Sequence, residues 1–288
     1  MAKAIVGVIG GSGVYHLPGL TDLREEQIAT PWGDPSDLLR FGRVGQTQAV
    51  FLARHGRGHR FSPSTINYRA NIDALKRVGV TDVIAVSACG SFHRDLYPGM
   101  FVMIDQFEDR TYLRRSSFFG DGCVAHVSMA HPIAPLLRRR LVAATEAEKI
   151  PCRDGGTYVC IEGPQFSSLA ESLGFQARGA DVIGMTGATE AKLAREAEIS
   201  YATIAMVTDY DCWREGHDAV TVEEIVAVLH KNADNAAKVV KAAVAAMPRE
   251  RACPCVSAAK YAVLTQPDAV PAEAKERLKL LFGKYLGW

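Results

Sequence analysis

Short apolar runs of strand character alternate with segments of helical period along most of this 288-residue chain. The runs occupy residues 4–9, 49–53, 82–86, 101–104, 157–161, 181–184 and 201–207, and helical periodicity fills residues 67–78, 135–148, 168–176 and 190–196. Alternation of this kind predicts an α/β fold, a single domain in which helices flank a central mixed β-sheet. Thr221-x-x-Glu224 forms a capping box ahead of Ile225. The helix it opens repeats apolar residues at Ile225, Leu229, Ala233, Ala236, Val240 and Val244, and Met247-Pro248 stops it. A connector with proline and cysteine follows, then a short helix with Pro271 near its start and Leu278, Leu281 and Phe282 on one face. Residues 1–247 are read as the domain proper, and residues 248–288 as a connector and helix packing on it.

Composition removes several function classes. Hydrophobic residues make up 48%, enough for a large core, and 33 basic residues nearly balance 32 acidic ones. That balance argues against a chain that coats nucleic acid or an anionic membrane. Arg138-Arg139-Arg140 reads as a solvated helix face. No window approaches the roughly 20 apolar residues of a spanning helix, and the apolar stretch before Gly10-Gly11 is too short for a signal peptide. A cytoplasmic location is expected. Seven cysteines show no framework or zinc-type spacing, so reduced thiols are expected throughout, including the close pair Cys253 and Cys255.

Polar groups gather where the apolar runs end, and in open α/β sheets ligands bind at the carboxyl ends of strands. Gly10-Gly11-Ser12-Gly13 can cradle an anion with amides and a hydroxyl, or simply turn the chain. It lacks the third glycine of a dinucleotide fingerprint and the lysine of a P-loop. Arg54-His55-Gly56 offers a guanidinium fork and an imidazole donor for phosphate, or an arginine–carboxylate pair beside a core histidine. Ser87-Ala88-Cys89-Gly90-Ser91 and Met185-Thr186-Gly187 each supply a hydroxyl and backbone amides. Glu162-Gly163-Pro164-Gln165-Phe166-Ser167 adds an aromatic face, with Ser168-x-x-Glu171 capping the next helix. Thr208-Asp209-Tyr210-Asp211-Cys212-Trp213 follows the most apolar run. Its two acids, two residues apart, lean to one face of an extended segment. Such a pair suits the ring nitrogen and amine of a base, and equally a metal ion. If these strand ends converge, a phosphate site lies beside a base site with room for a sugar between them.

Taken in order, these stretches, with Asn67-Tyr68-Arg69-Ala70-Asn71 and the run 105–111, resemble the S-methyl-5'-thioadenosine phosphorylases of the trimeric purine nucleoside phosphorylase superfamily. The resemblance implies that Ser12, Arg54, His55, Ser87 and Thr186 bind phosphate, with serine at 12 and 87 where the family often has threonine. It implies that Ala88 and Met185 lie along the ribose, that Phe166 packs near base and sugar, and that Ser167, Asp209 and Asp211 meet adenine. His126 would reach the 5' side of the sugar in a neighbouring subunit, and Val222 and Ile225 would line the methylthio pocket. A homotrimer would complete the sites. The implied reaction is reversible phosphorolysis of methylthioadenosine to adenine and 5-methylthioribose 1-phosphate. Inorganic phosphate is the co-substrate, no metal or organic cofactor takes part, and neither nucleic acid nor membrane is a partner. Asp209, protonated, would donate to N7 of the leaving purine as the catalytic acid. Aspartate at 209 argues against a 6-oxopurine nucleoside phosphorylase acting on inosine, guanosine or methylthioinosine. That reading stays as the alternative, with a hydrolytic nucleosidase, a non-catalytic nucleoside-binding protein and a metal enzyme as more distant rivals.

Overall fold

Strand β5 (Asp82–Ser91) organises the sheet because it is paired along both edges. One edge carries β11 (Ser200–Tyr210) in parallel along its whole length. The other edge is shared. Strand β1 (Ile5–Gly10) runs parallel to residues 82–85, and β10 (Val182–Gly184) runs antiparallel to Gly90 and Ser91. Residues 86–89 lie in the fork between them. A computed structural model describes residues 4–11, 17, 19–214, 222–248 and 253–287, with backbone alone at 222–226.

The sheet extends outward from this fork. On the β1 side lie β4 (Thr47–Ala53), β3 (Leu39–Val44) and β2 (Thr21–Glu26); on the β10 side lie β9 (Thr157–Ile161) and β7 (Gln106–Arg110). Beyond β11 come β6 (Phe101–Met103) and β8 (Cys152–Asp154). Parallel and antiparallel pairs are both present, so the sheet is mixed. Helices α2 (Pro135–Ala147) and α5 (Val222–Ala245) pack on each other and on β11, while α4 (Gly187–Glu196) contacts β11, β5 and β7 and carries α1 (Tyr68–Arg77) against it. Val83, Ile84, Ala85, Val86, Ile204, Ala205 and Val207 are buried at the centre.

Local chemistry sets the helix starts. The Asn67 side chain accepts from Ala70 N at the head of α1. Ser168 and Glu171 form the reciprocal capping box of α3 (Leu169–Ala177) foreseen from the sequence. Thr221, the cap foreseen for α5, lies outside the described residues.

Four strands carry no sequence signal of their own. β2, with sequence TDLREE, is exposed throughout and exists because β3 supplies its ladder. β3, β7 and β8 are short or half-polar and likewise follow from their neighbours. The central strands run past their apolar stretches, β5 to Ser91 and β11 to Tyr210. Ser87, Ala88 and Asp209 are therefore held in the ladder, not in turns after it, because each strand end pairs with the other.

After α5 the chain folds back onto the domain. Helix α6 (Ala272–Leu286) buries Leu278, Leu281 and Phe282 in the main core, and the Phe282 ring meets Phe119 at 4.2 Å. Buried Glu198 anchors the segment, accepting from Ala259 N at 3.0 Å, Tyr285 Oη at 2.7 Å and Lys284 Nζ. The expectation of reduced thiols fails at Cys253 and Cys255, which are joined by a disulfide. Cys253 caps a 3₁₀ turn over Pro254–Ser257, which holds the two Cα atoms 5.3 Å apart, within bonding range. That approach is made by the turn, and residue spacing alone does not reveal it.

Candidate active site

The fork in the sheet is filled by Arg54, which directly follows β4. Its side chain is 3% exposed. Nη1 donates to Val86 O at 2.8 Å and Nη2 to Ile9 O at 3.5 Å, so the guanidinium bonds the carbonyls that the diverging strands leave open. Nε and Nη2 donate to Glu190 of α4 at 2.5 and 3.1 Å. Glu190 also accepts from Tyr201 Oη at 2.8 Å, and Thr203 donates to that phenol oxygen at 3.0 Å. Burial works to lower the pKa of Arg54, but the charge and hydrogen bonds of Glu190 outweigh it, and the net shift is upward. Of the two readings made from the sequence, the arginine–carboxylate pair is the one observed. Arg54 stands at the expected strand end, and it is one half of a buried ion pair.

His55 follows, with Nδ1 2.8 Å from Phe61 O. A carbonyl only accepts, so Nδ1 carries the hydrogen. Burial is the main force lowering the imidazole pKa, to about 4, with Arg54 and His59 adding to it. The ring is thus neutral near pH 7 and presents a lone pair at Nε2. A neutral ring in this tautomer can accept a hydrogen bond at Nε2 and donates there only when doubly protonated. Its ring stacks on His59 at 4.1 Å, at the wall of a 470 Å³ cavity that Gly10, Gly11 and Ala53 also line.

Two further hydroxyls complete this end. Thr186 is the N-cap residue of α4, yet its side chain makes no cap bond, and Oγ1 is buried without a partner among the described residues. Ser87 bonds only weakly, to Ala88 O at 3.2 Å. Ser12 lies outside the described residues.

The base end is built on a bulge in β11. The register slips between Val207 and Asp209, leaving Thr208 as the extra residue, and its Oγ1 bonds Cys89 O at 3.2 Å and Asp209 Oδ1 at 2.6 Å. A Cβ placed on Gly90 would lie 3.3 Å from Asp209 Oδ2 and 3.5 Å from Asp211 Cβ. Both acids therefore gather over the space this glycine leaves. Burial raises the pKa of Asp209, Thr208 opposes it, and Asp211 adds to it. Burial also raises Asp211, against Ser172 and the Cys212 N–H. Cys212 Sγ reaches Ser167 O at 3.4 Å and draws the aromatic loop to the acids. Ser167 Oγ, Ser172 Oγ and Asp211 Oδ2 are buried with no bond of good geometry.

Between the two ends, Ala88 is exposed and Met185 half-buried, and the Met185 sulfur stands where a Gly163 side chain would be. Phe166 is 86% exposed at the rim. His126 is exposed, and its N–H is donated to Ala262 O at 2.9 Å; among the described residues no hydrogen bond joins it to either end of the site. The side chains of Val222 and Ile225 lie outside the described residues. Among the described residues no group of three His, Cys, Asp or Glu is placed to hold a metal, and no helix is long and apolar enough to cross a membrane.

Sequence reading missed Glu190, Arg114 and Tyr158. The Arg114 guanidinium, almost wholly buried, donates to the carbonyls of Ile161, Glu162 and Met185 and to the Glu162 carboxylate, tying the ends of β9 and β10 together. Burial tends to raise the pKa of Glu162, but hydrogen bonds from Ser64, Tyr112 and Leu113 and the charge of Arg114 bring it below the usual range. Glu190 and Arg114 carry no motif; both are identified by their burial and their partners.

Comparison with known proteins agrees with this geometry. A sequence model of the phosphorylase superfamily matches residues 5–245. The S-methyl-5'-thioadenosine phosphorylase of Bradyrhizobium diazoefficiens is 57% identical, covering 99% of each chain, and that of Koribacter versatilis is 53% identical, covering 99% of this chain and 98% of its own. Among solved structures, a methylthioadenosine phosphorylase from an antarctic soil metagenomic library superposes with a TM-score of 0.93 at 47% identity, over 98% of this chain and 99% of its own. A variant of the adenosine/methylthioadenosine phosphorylase of Schistosoma mansoni, solved with methylthioadenosine, gives 0.80 at 39% identity over 86% of this chain and 93% of its own. With relatives this similar along nearly its whole length, the chain belongs to the phosphorylase superfamily and, within it, to the family of the S-methyl-5'-thioadenosine phosphorylases.

Proposed function

We propose that this protein catalyses the reversible phosphorolysis of S-methyl-5'-thioadenosine, giving adenine and 5-methylthioribose 1-phosphate. The observation that carries this reading is a pair of buried hydroxyls, one at each end of the cleft, that find no partner among the described residues: Thr186 Oγ1 at one and Ser167 Oγ at the other. Such atoms are costly unless a ligand completes them.

In this mechanism the phosphate sits against Arg54, His55, Ser87, Thr186 and Ser12. A phosphate oxygen forms the bond to the anomeric carbon as the bond to N9 breaks, and that electron pair moves onto the purine. Positive charge grows on the sugar, and the bound anion stabilises it. Asp209, kept protonated by burial and by Asp211, gives its proton to N7 and is left as a carboxylate. Donation to the leaving group is worth roughly 10²–10⁴-fold. Asp211 and Ser167 bind the adenine edge, Phe166 covers the ring and sugar, and Ala88 and Met185 leave room for the ribose. The family resemblance assigns the methylthio group to Val222 and Ile225. An apolar 5' pocket of that kind favours methylthio over hydroxyl by only about 1–3 kcal/mol, so adenosine is a slow substrate. No metal or organic cofactor is required.

The working form is a homotrimer in the cytoplasm, with His126 completing the 5' side of a neighbour's site. The exposed Tyr112 at 79%, Leu113 at 70%, Tyr261 at 86% and Leu264 at 65% supply apolar surface for such an interface.

The test is adenine release from methylthioadenosine with and without phosphate, in chelator. Phosphate-dependent release at full rate is the expected result. Release without phosphate would identify a nucleosidase, rapid cleavage of inosine alone would identify a 6-oxopurine enzyme, and loss in chelator would identify a metal.

A further inference from the structure

Tyr158, on β9, is 0% exposed, and among the described residues its phenol oxygen has no hydrogen-bond partner. A tyrosine this deep in a sheet ordinarily finds one. The path its ring takes is unusual. Tyr158 pairs with Val182 of β10 and reaches across the end of that strand, over Gly184. A Cβ on Gly184 would lie 1.9 Å from the phenol oxygen and 2.6 Å from Cζ, so no other residue fits there while the ring holds this position. Phe107 fixes the ring from the side, edge-on at 5.4 Å, and is itself admitted by Gly187, whose Cβ would lie 2.8 Å from it. Two glycines flanking Met185 and Thr186 thus open a passage through which one hydroxyl passes.

The passage leads to the phosphate end. Ile183 of β10 pairs with Gly90 of β5, so Gly184 and the phenol oxygen above it lie on the face of β5 that carries Cys89 and Ser87. Among the described residues Ser87 Oγ bonds Ala88 O at 3.2 Å and Thr186 Oγ1 bonds nothing. Hydroxyls of β5, β9 and the head of α4 therefore face the same end of the fork, and burial there pushes the phenol pKa up.

We propose that Tyr158 is a positioning residue for phosphate: its O–H donates to Ser87 Oγ, which commits the Ser87 hydrogen to a phosphate oxygen. A serine hydroxyl has one hydrogen and can spend it on Ala88 O or on the anion. A donor arriving at its oxygen from behind polarises it and fixes its direction. This role rests on the phosphorolysis reading and deepens it.

The experiment is steady-state kinetics of Tyr158→Phe, varying phosphate and methylthioadenosine separately, beside Ser87→Ala and the double variant. The phenylalanine keeps the ring and removes an oxygen whose one proposed partner is Ser87, so the melting temperature should change little. The KM for phosphate should rise about five- to tenfold, the cost of one hydrogen bond. The KM for methylthioadenosine should stay within twofold, and the double variant should be no worse than Ser87→Ala alone. Gly184→Ala, which displaces the phenol, should reproduce the phosphate defect. An unchanged phosphate KM in Tyr158→Phe would overturn the proposal, as would equal losses in both KM values or additive losses in the double variant. Wild-type turnover without phosphate is a separate outcome: it would refute phosphorolysis, and the Tyr158 role with it.

Discussion

The two ends of the cleft handle buried charge in opposite ways. At the phosphate end the cation is neutralised before any ligand arrives: Arg54 is locked to Glu190, with Tyr201 and Thr203 behind it, and His55 is neutral. At the base end two carboxylates lie together with no cation bonded to either among the described residues, and burial raises both pKa values. The first arrangement stores order. The Arg54 donors are fixed in direction by bonds to other strands and to Glu190, and in the proposed reaction phosphate completes what the hydroxyls lack. The second favours the uncharged form of both acids, and an acid that keeps its proton can give it to a leaving group. One mixed sheet produces both because the fork in β5 admits a long cation on one side, and the bulge in β11 turns short acids inward on the other.

Breaking the ordered end should have the largest effect on the fold. Glu190→Ala leaves Arg54 charged, buried and unpaired, and should cost about 3–5 kcal/mol of stability in urea unfolding. A loss below about 1 kcal/mol would show that the ion pair is a rim feature after all. Breaking the acid pair should act on turnover instead. Asp209→Asn should lower kcat for methylthioadenosine by about 10²–10⁴-fold with unfolding little changed. It should also shift preference toward 6-oxopurine nucleosides, which equal selectivity would contradict. In the wild type kcat should fall as pH rises through the raised pKa of Asp209, because the acid is then spent. Asp209→Asn should remove that alkaline limb.

A third group separates catalysis from stability. Glu196, at the end of α4, accepts from Ser117 Oγ and Phe118 N, both at 2.7 Å, and burial raises its pKa to about 7. A carboxyl raised in the folded state stabilises the fold fully below its unfolded pKa near 4.5. That contribution is lost as pH rises through about 7, some 3 kcal/mol in all. Glu196→Gln should flatten the melting temperature between pH 5 and 8 while leaving the pH profile of kcat in place. If both profiles change together, the alkaline limb reports unfolding and not Asp209. The smallest effect is expected at Ser168, whose cap fixes the start of α3 beside Ser167. Ser168→Ala should cost about 1 kcal/mol and raise the KM for methylthioadenosine more than that for phosphate.

At the base end the pairing of Asp209 and Asp211 was legible from their spacing, whereas Ser167 came from the resemblance alone and the space left by Gly90 was not visible. Nor was Thr208 visible as a bulge residue, because a bulge is a property of two paired strands. The phosphate end was legible only at the ligand-facing residues. Arg54 and Thr186 mark strand and helix ends, but Glu190, Tyr158 and Arg114 lie 136, 104 and 60 residues from Arg54 with no motif to join them.

What the sequence determined by itself was the α/β class, the central strands, the helix starts with local caps and the family, because these rest on periodicity and short-range bonding. The tertiary structure decided the rest. It added the edge strands β2, β7 and β8, whose ladders come from neighbours. It chose the tautomer of His55 through Phe61, joined Cys253 to Cys255 through a turn, and enclosed Arg54 between strands that part. Each of these depends on groups brought together by folding, and the energy of a buried polar group is set by whichever partners lie within about 3 Å of it.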